Sequence, residues 1–199
     1  MNIIKNKYHH GNLRDEILKA AYNFVSENGY TSMSLRCIAE NCDVSATAIY
    51  RHYKTKEHLL ADVVVKGFTE FNIFVEGDLE ANIFDKCDNY LEFAFDNKNI
   101  YDLLFSQSVV EFLKFPKILE VADSSFQTLL ESVKEHDRSL NDLSASNKAI
   151  HIWSFLHGIS SISKKMDVAL SLPDSEMPIP VRSVKRARSN LRQFIEDLF

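Results

Sequence analysis

Ser45, Ala46, Thr47 and Ala48 stand in a row and are followed at once by Tyr50, Arg51, His52, Tyr53, Lys54 and Lys56. The first four are small or polar, so a backbone that carries them can come close to a partner. The later ones offer hydroxyls, an imidazole and cations, all ligands for phosphate oxygens. Small and polar residues on the first turns of a helix are what an approach to base edges in a major groove requires. Ile49, between the two groups, is expected to face inward. The same residues also fit a small helical bundle with a solvated basic face, and at this level both readings stand.

That chemistry needs elements to hold it. Leu13, Ile17, Ala20, Ala21, Phe24 and Val25 recur at helical spacing, and Asn28-Gly29 supplies a stop. Ser34 ends a capping run ahead of Leu35, Ile38 and Ala39, one face of a short second helix. The turn Asn41-Cys42-Asp43 follows, and Ser45 caps a third helix, Ala46 to His52. Two short helices joined by such a turn make a helix-turn-helix. Thr55 caps a fourth helix with Leu59, Leu60, Val63, Val64, Phe68, Phe71 and Phe74 along its apolar side, ended by Gly77-Asp78. Further helices are predicted over 82–97, 100–108, 117–136, 144–169 and 181–198, with 107–115 ambiguous.

The composition agrees. The 199 residues hold 5 Gly and 4 Pro, less than half the usual usage of roughly 7% and 5%. Sheet proteins spend both on turns, so the scarcity argues for long helices. A hydrophobic share of 45% is enough to fill a core and excludes wholesale disorder. No apolar run approaches the ~18 residues of a membrane span, and no basic segment leads an apolar N-terminal run. The chain is expected to be soluble and cytoplasmic.

The net charge of −5 speaks against nucleic acid until it is resolved along the chain. Residues 1–60 carry eight Lys/Arg against six Asp/Glu and four of the seven His, whereas residues 61–199 carry fifteen against twenty-two. Phe24 lies in the first part and the other thirteen Phe lie in the second. The chain is read as two domains, 1–60 and 61–199.

The run Tyr8-His9-His10-Gly11-Asn12-Leu13-Arg14 resembles the start of helix one in a subgroup of TetR-type transcription regulators. Ser34 to Ala39, Val44-Ser45 and Ala48 to Glu57 look like that family's DNA-binding domain, matching in order at fixed spacing over about residues 8–65. Trp153-Ser154-Phe155-Leu156-His157-Gly158 is similar to the subgroup's C-terminal Trp-His-Gly signature. One departure is Asp43, where the family's turn has Gly; Asp tolerates the left-handed conformation better than most residues. The resemblance implies that Ser34 and Arg36 face DNA from helix two. It also implies that Ala46, Thr47, Tyr50 and Arg51 project from helix three, and that Tyr50, His52 and Lys56 meet phosphates. An arm with Lys5, Lys7, His9 and His10 would reach an adjacent groove, and Tyr53 would be a core aromatic.

Other side chains carry less. His9-His10 have no carboxylate or Cys at ligand spacing, so no metal site is assigned. Cys37, Cys42 and Cys87 form no CxxC pair, and one of Cys37 and Cys42 is expected to be buried rather than to act as a redox switch. No nucleophile motif, phosphate loop or HExxH suggests an enzyme, and no cofactor is implied.

In the second region Phe71, Phe74, Tyr90, Phe93, Tyr101, Phe105, Phe112 and Phe126 lie on several helices, as the lining of an apolar ligand cavity would. An aromatic core without a cavity uses the same residues, and the resemblance tips the balance toward the cavity. Trp153 and His157 share a helix face and could join it, with helix packing through Gly158 as the plainer role. The last helix places Val184, Ala187, Leu191, Phe194, Ile195 and Leu198 within an arc of roughly 100°. Lys185, Arg188 and Arg192 fall opposite, with Arg182 and Arg186 beyond, as a solvated face. Trp153, Leu156 and Ile159 with Val184, Leu191, Phe194 and Leu198 are expected to form a four-helix dimer interface.

The whole reads as an all-α protein: a three-helix helix-turn-helix domain that binds DNA, joined to a helical domain for ligand binding and dimerisation. The expected function is a homodimeric regulator, a repressor released from a palindromic operator by an apolar or aromatic small molecule. A helical protein-interaction adaptor and a small enzyme are the rival readings.

Overall fold

The computed structural model describes residues 13–106 and 114–199, and every regular element among them is helical. The expectations for Lys5, Lys7, Tyr8, His9, His10 and Phe112 lie outside the described residues, as does most of the ambiguous 107–115 segment. The described helices are α1 Leu13–Asn28, α2 Leu35–Asn41, α3 Ala46–His52, α4 Lys56–Glu76, α5 Ile83–Asp96, α6 Lys98–Leu104, α7 Pro116–His136, α8 Asp142–Lys165, α9 Asp167–Leu170, α10 Ile179–Ser189 and α11 Leu191–Glu196. They form two compact units. The first holds the described residues up to Gly67 and from Asn99 to Ile118; the second holds Phe68–Lys98 and Leu119–Phe199.

The first unit is built on a repeat of four along α1, where Ile17, Ala21 and Val25 are all buried. They share a core with Leu35, Ile38 and Ala39 of α2, Ile49 of α3, and Leu59, Leu60 and Val63 of α4. Gly29 stops α1 in the left-handed conformation at φ 77° and returns its N–H to the Val25 carbonyl at 2.8 Å. The unit is not one stretch of chain. A Cβ at Gly67 would come within 3.0 Å of Leu104 and 3.2 Å of Ile100, so glycine there lets α6 pack closely. Asn99 adds a hydrogen bond from Nδ2 to the Ser26 carbonyl at 2.8 Å.

In the second unit α5 begins with a reciprocal cap. The Asn82 side chain accepts from the Phe84 and Asp85 amides while the Asp85 carboxylate accepts from the Asn82 amide. Its buried face, including Phe84, Tyr90, Leu91 and Phe93, packs on α8 and α11. The α8 helix buries Ala145, Ala149, Ile152, Leu156, Ile159 and Ser163, and α10 lies against it through Val181, Val184 and Ala187.

Several helix limits differ from the sequence reading. The α6 helix ends at Leu104 rather than at 108. The predicted 144–169 helix stops at Lys165, where Met166 leaves helical geometry (φ −108°, ψ 11°) ahead of the short α9. The last helix is broken in two at Asn190, whose side chain and amide both turn back to the Arg186 carbonyl. Of the cations on the expected solvated face, Arg182, Lys185, Arg186 and Arg192 are exposed and Arg188 alone is half-buried. Arg188 lies over the Phe95 ring at 3.8 Å, Arg192 over Phe84 at 4.5 Å, and Lys185 pairs with Asp174 at 2.7 Å.

Candidate nucleic-acid interface

Two serines fix the two short helices. The Ser34 hydroxyl accepts from the Cys37 amide at 3.2 Å and the Ser45 hydroxyl from the Ala48 amide at 3.2 Å. Each hydroxyl keeps its own O–H to donate. Between them Asp43 sits at φ 52°, the left-handed conformation that the turn needs and that glycine would adopt freely. Its amide donates to the Glu40 carbonyl and the Val44 amide to the Ala39 carbonyl, so the turn is closed by backbone bonds despite the missing glycine.

On α3 the periodicity divides the side chains cleanly. Ile49 is fully buried, while Ala46, Thr47, Arg51 and His52 are exposed and Tyr50 is 56% exposed. Beyond the helix Lys54 is exposed too. Tyr53 turns the other way: it is 2% exposed, and its hydroxyl donates to Asp62 Oδ2 at 2.9 Å. Burial dominates its surroundings and pushes its pKa up to about 12. Arg14 donates to the same carboxylate oxygen at 2.9 Å and lies over the Tyr53 ring at 5.5 Å. Asp62 thus ties α1, α3 and α4 together, and no local spacing marked it; only the fold brings positions 14, 53 and 62 to one place.

Two of the expected DNA contacts already have partners. Arg36 pairs with Glu40 at 3.3 Å, both highly exposed, a loose pair of little energy that an incoming anion can displace. Lys56 Nζ donates to the Thr31 carbonyl at 3.2 Å, which leaves the ammonium two further donors and holds it beside the start of α2. At the start of α4 the His58 amide is taken by the Thr55 hydroxyl at 3.4 Å, so that N–H is not open to an anion. Cys37 and Cys42 are both half-buried, contrary to the expectation that one is buried; Cys42 Sγ reaches the Glu16 carbonyl at 4.0 Å.

The residues read as ligand lining do not come together in one unit. In the second, Phe71 is buried and meets Tyr90 and Phe93 edge to face at 5.2 and 5.1 Å, with Phe74 on Phe93 at 5.8 Å. Phe126 is half-buried, and Trp153 and His157 stack at 5.6 Å. Burial lowers the pKa of His157. Tyr101 and Phe105 pack on each other at 4.6 Å in the first unit. Two cavities wholly among the described residues are lined by other side chains: one by Ala61, Asp62, Val65, Phe115, Pro116 and Lys117, the second by Asp88, Leu91, Phe95, Leu170, Lys185, Arg188 and Ser189.

The dimer expectation is corrected in part. Leu156, Ile159, Val184 and Leu191 are at most 9% exposed, so they fill the core of their own protomer. Trp153 and Leu198 are half-buried and Phe194 is exposed. Ile150 and Ile162 on α8 are exposed as well, and a Cβ at Gly158 would meet nothing within 4 Å. The close approach expected at Gly158 has no partner among the described residues of this protomer.

Comparison with known proteins finds two family models. The family model described as "Bacterial regulatory proteins, tetR family" matches residues 17–63, and the one described as "Tetracyclin repressor-like, C-terminal domain" matches 83–176. The HTH-type transcriptional repressor KstR of Rhodococcus jostii (strain RHA1) is 34% identical over 55 residues, 28% of this chain and 26% of that protein. The HTH-type transcriptional regulator UidR of Escherichia coli (strain K12) is 36% identical over 53 residues, 27% of each. The matched stretch thus spans about a quarter of the length of these curated relatives. A solved structure of a protein of unknown function from Rhodococcus sp. RHA1 shares the fold, with a TM-score of 0.69 and 20% identity over 93% of this chain and 96% of that one.

Proposed function

Since the chain belongs to the TetR family of bacterial regulatory proteins, we propose that it is a sequence-specific DNA-binding regulator of transcription, a repressor and not an enzyme. The observation that carries this reading is the outer face of α3, where Ala46, Thr47, Tyr50, Arg51 and His52 stand exposed on a helix capped by Ser45 and held down by Ile49. Small side chains at its start admit the backbone to a major groove, and the larger ones meet base edges and phosphates. Ser34, Arg36, Lys54 and Lys56 flank that face as backbone contacts. The DNA-binding domain spans residues 1–60 and the effector and dimer domain 61–199, in the cytoplasm.

The regulator acts as a homodimer on a palindromic operator, since two-fold symmetry presents two recognition helices to successive grooves. Its interface draws on Trp153, Phe194 and Leu198, with Ile150, Ile162 and the open space at Gly158 beside them. A small apolar or aromatic effector taken up by the second domain releases the operator by binding more tightly to a state whose recognition helices no longer match it. The aromatic residues first read as its lining touch one another, so an effector among Phe71, Tyr90 and Phe93 parts rings now in contact.

Gel shifts with the duplex that flanks its own gene test this. Tyr50→Phe and Lys56→Ala each weaken binding across sequences, and loss of the lysine lowers the salt slope by about one. A dimer that binds no duplex at low salt would overturn the regulator reading in favour of a protein-binding adaptor.

A further inference from the structure

The second unit contains an open cleft of about 450 Å³ between α5, α9 and α10. Leu91, Phe95 and Leu170 give it an apolar floor, and Lys185 and Arg188 place two cations on one side. These cations are not equivalent. Lys185 is already matched, 2.7 Å from Asp174. Arg188 is half-buried with its guanidinium 3.8 Å over the Phe95 ring, and no carboxylate among the described residues lies within ion-pair distance of it. The neighbouring Asp167 is engaged elsewhere, 2.6 Å from Lys98. Burial accordingly pulls the pKa of Arg188 below the ordinary guanidinium value, with Asp167 opposing.

A partly desolvated guanidinium without an acceptor is a costly arrangement that a ligand oxygen can relieve. With Phe95 against one side of it, the guanidinium still has N–H groups in its own plane that match the two oxygens of a carboxylate. The apolar floor adds a place for a hydrocarbon body, and the volume is within the usual range of small-molecule sites, ~300–1,000 Å³. Asp88, on α5 in the same lining, disfavours a second negative charge, so a dianion fits less well than a monoanion.

We propose that this cleft binds a small amphipathic monocarboxylate, its head group paired with Arg188 and its apolar body lying on Leu91, Phe95 and Leu170. The site stands on its own geometry. Only its role in releasing DNA rests on the function proposed above.

Isothermal titration calorimetry of the full chain with phenylbutyrate tests the site without any DNA present. Phenylbutyrate binds the wild type, and phenylbutanol, which lacks the charge, binds at least about tenfold more weakly, as loss of a charged hydrogen bond requires. Arg188→Gln weakens phenylbutyrate by a similar factor, Lys185→Gln by less, and Asp88→Asn leaves it equal or tighter. Ser189→Trp places a bulky ring at an exposed position of the lining and blocks binding, with circular dichroism showing each variant folded. No heat with phenylbutyrate at millimolar concentration overturns the proposal. So does equal binding of the alcohol, binding of phenethylamine in its place, or unchanged affinity in both Arg188→Gln and Ser189→Trp. A duplex that is never bound counts against the regulator reading alone.

Discussion

On α3 the side chains with distinctive chemistry point outward and Ile49 alone is buried, whereas on α5 the distinctive ones, Phe84, Tyr90 and Phe93, point inward. Surface chemistry needs only a short rigid helix, and caps at Ser34 and Ser45 with one turn between them supply it locally. Interior chemistry depends on which helices meet, since Phe71 and Phe74 of α4 and Tyr90 and Phe93 of α5 are placed by one another. The first unit should therefore let its outer face change at little cost in stability, and the second should not let its aromatic set change at all.

The largest test of that contrast is Phe71→Ala. Phe71 is 2% exposed and held edge to face by Tyr90 and Phe93, so the variant should lose about 3–5 kcal/mol, the usual cost of emptying a packed aromatic site. Urea unfolding of the full chain measures it. A loss below about 1.5 kcal/mol would be less than full burial of such a ring is worth; it would mean that the space beside Phe71 is already open, restoring the lining role first read for it.

A middle-sized effect separates two tyrosines three residues apart. Tyr53→Phe removes the 2.9 Å bond to Asp62 while Arg14 keeps its own. It should cost about 1 kcal/mol of stability and leave duplex affinity almost unchanged. Tyr50→Phe, on the exposed side, should do the reverse. If Tyr53→Phe weakens duplex binding with no change in unfolding, the line between core and contact face is misplaced.

The contrast also explains what could be read in advance. The limits of α2 and α3 follow from caps and periodicity within a few residues, and so were legible. Arg188 was assigned to a solvated face although on a helical wheel it falls beside the apolar arc, and a long stem there can turn inward. Its guanidinium reaches back over Phe95 on α5 and is half-buried, whereas Arg192, over Phe84, stays exposed as expected. Leu156, Ile159, Val184 and Leu191 show the same limit: periodicity identifies an apolar face and says nothing of whether its own protomer or a second one covers it. Lys56 and Asp62 depended on residues 25 and 48 positions away, Thr31 and Arg14.

The smallest effect is the sharpest for the first unit. Asp43 occupies the left-handed region at φ 52°, which costs an L-residue about 1–2 kcal/mol and Asp at the lower end. Asp43→Gly relieves that strain but enlarges the freedom of the unfolded chain, worth about 0.4–1 kcal/mol in the opposite direction. The two nearly cancel, so Asp43→Gly should unfold within about 0.5 kcal/mol of the wild type. Asp43→Val keeps the strain, adds β-branching, and should cost more than about 1 kcal/mol. Equal stability of all three would mean that the turn does not hold its positive φ, and the local account of how α3 is presented would fail. The second unit offers no matching experiment. Its left-handed position among the described residues is Gly77, and its side chains are set by their neighbours across the core rather than by one dihedral in the chain.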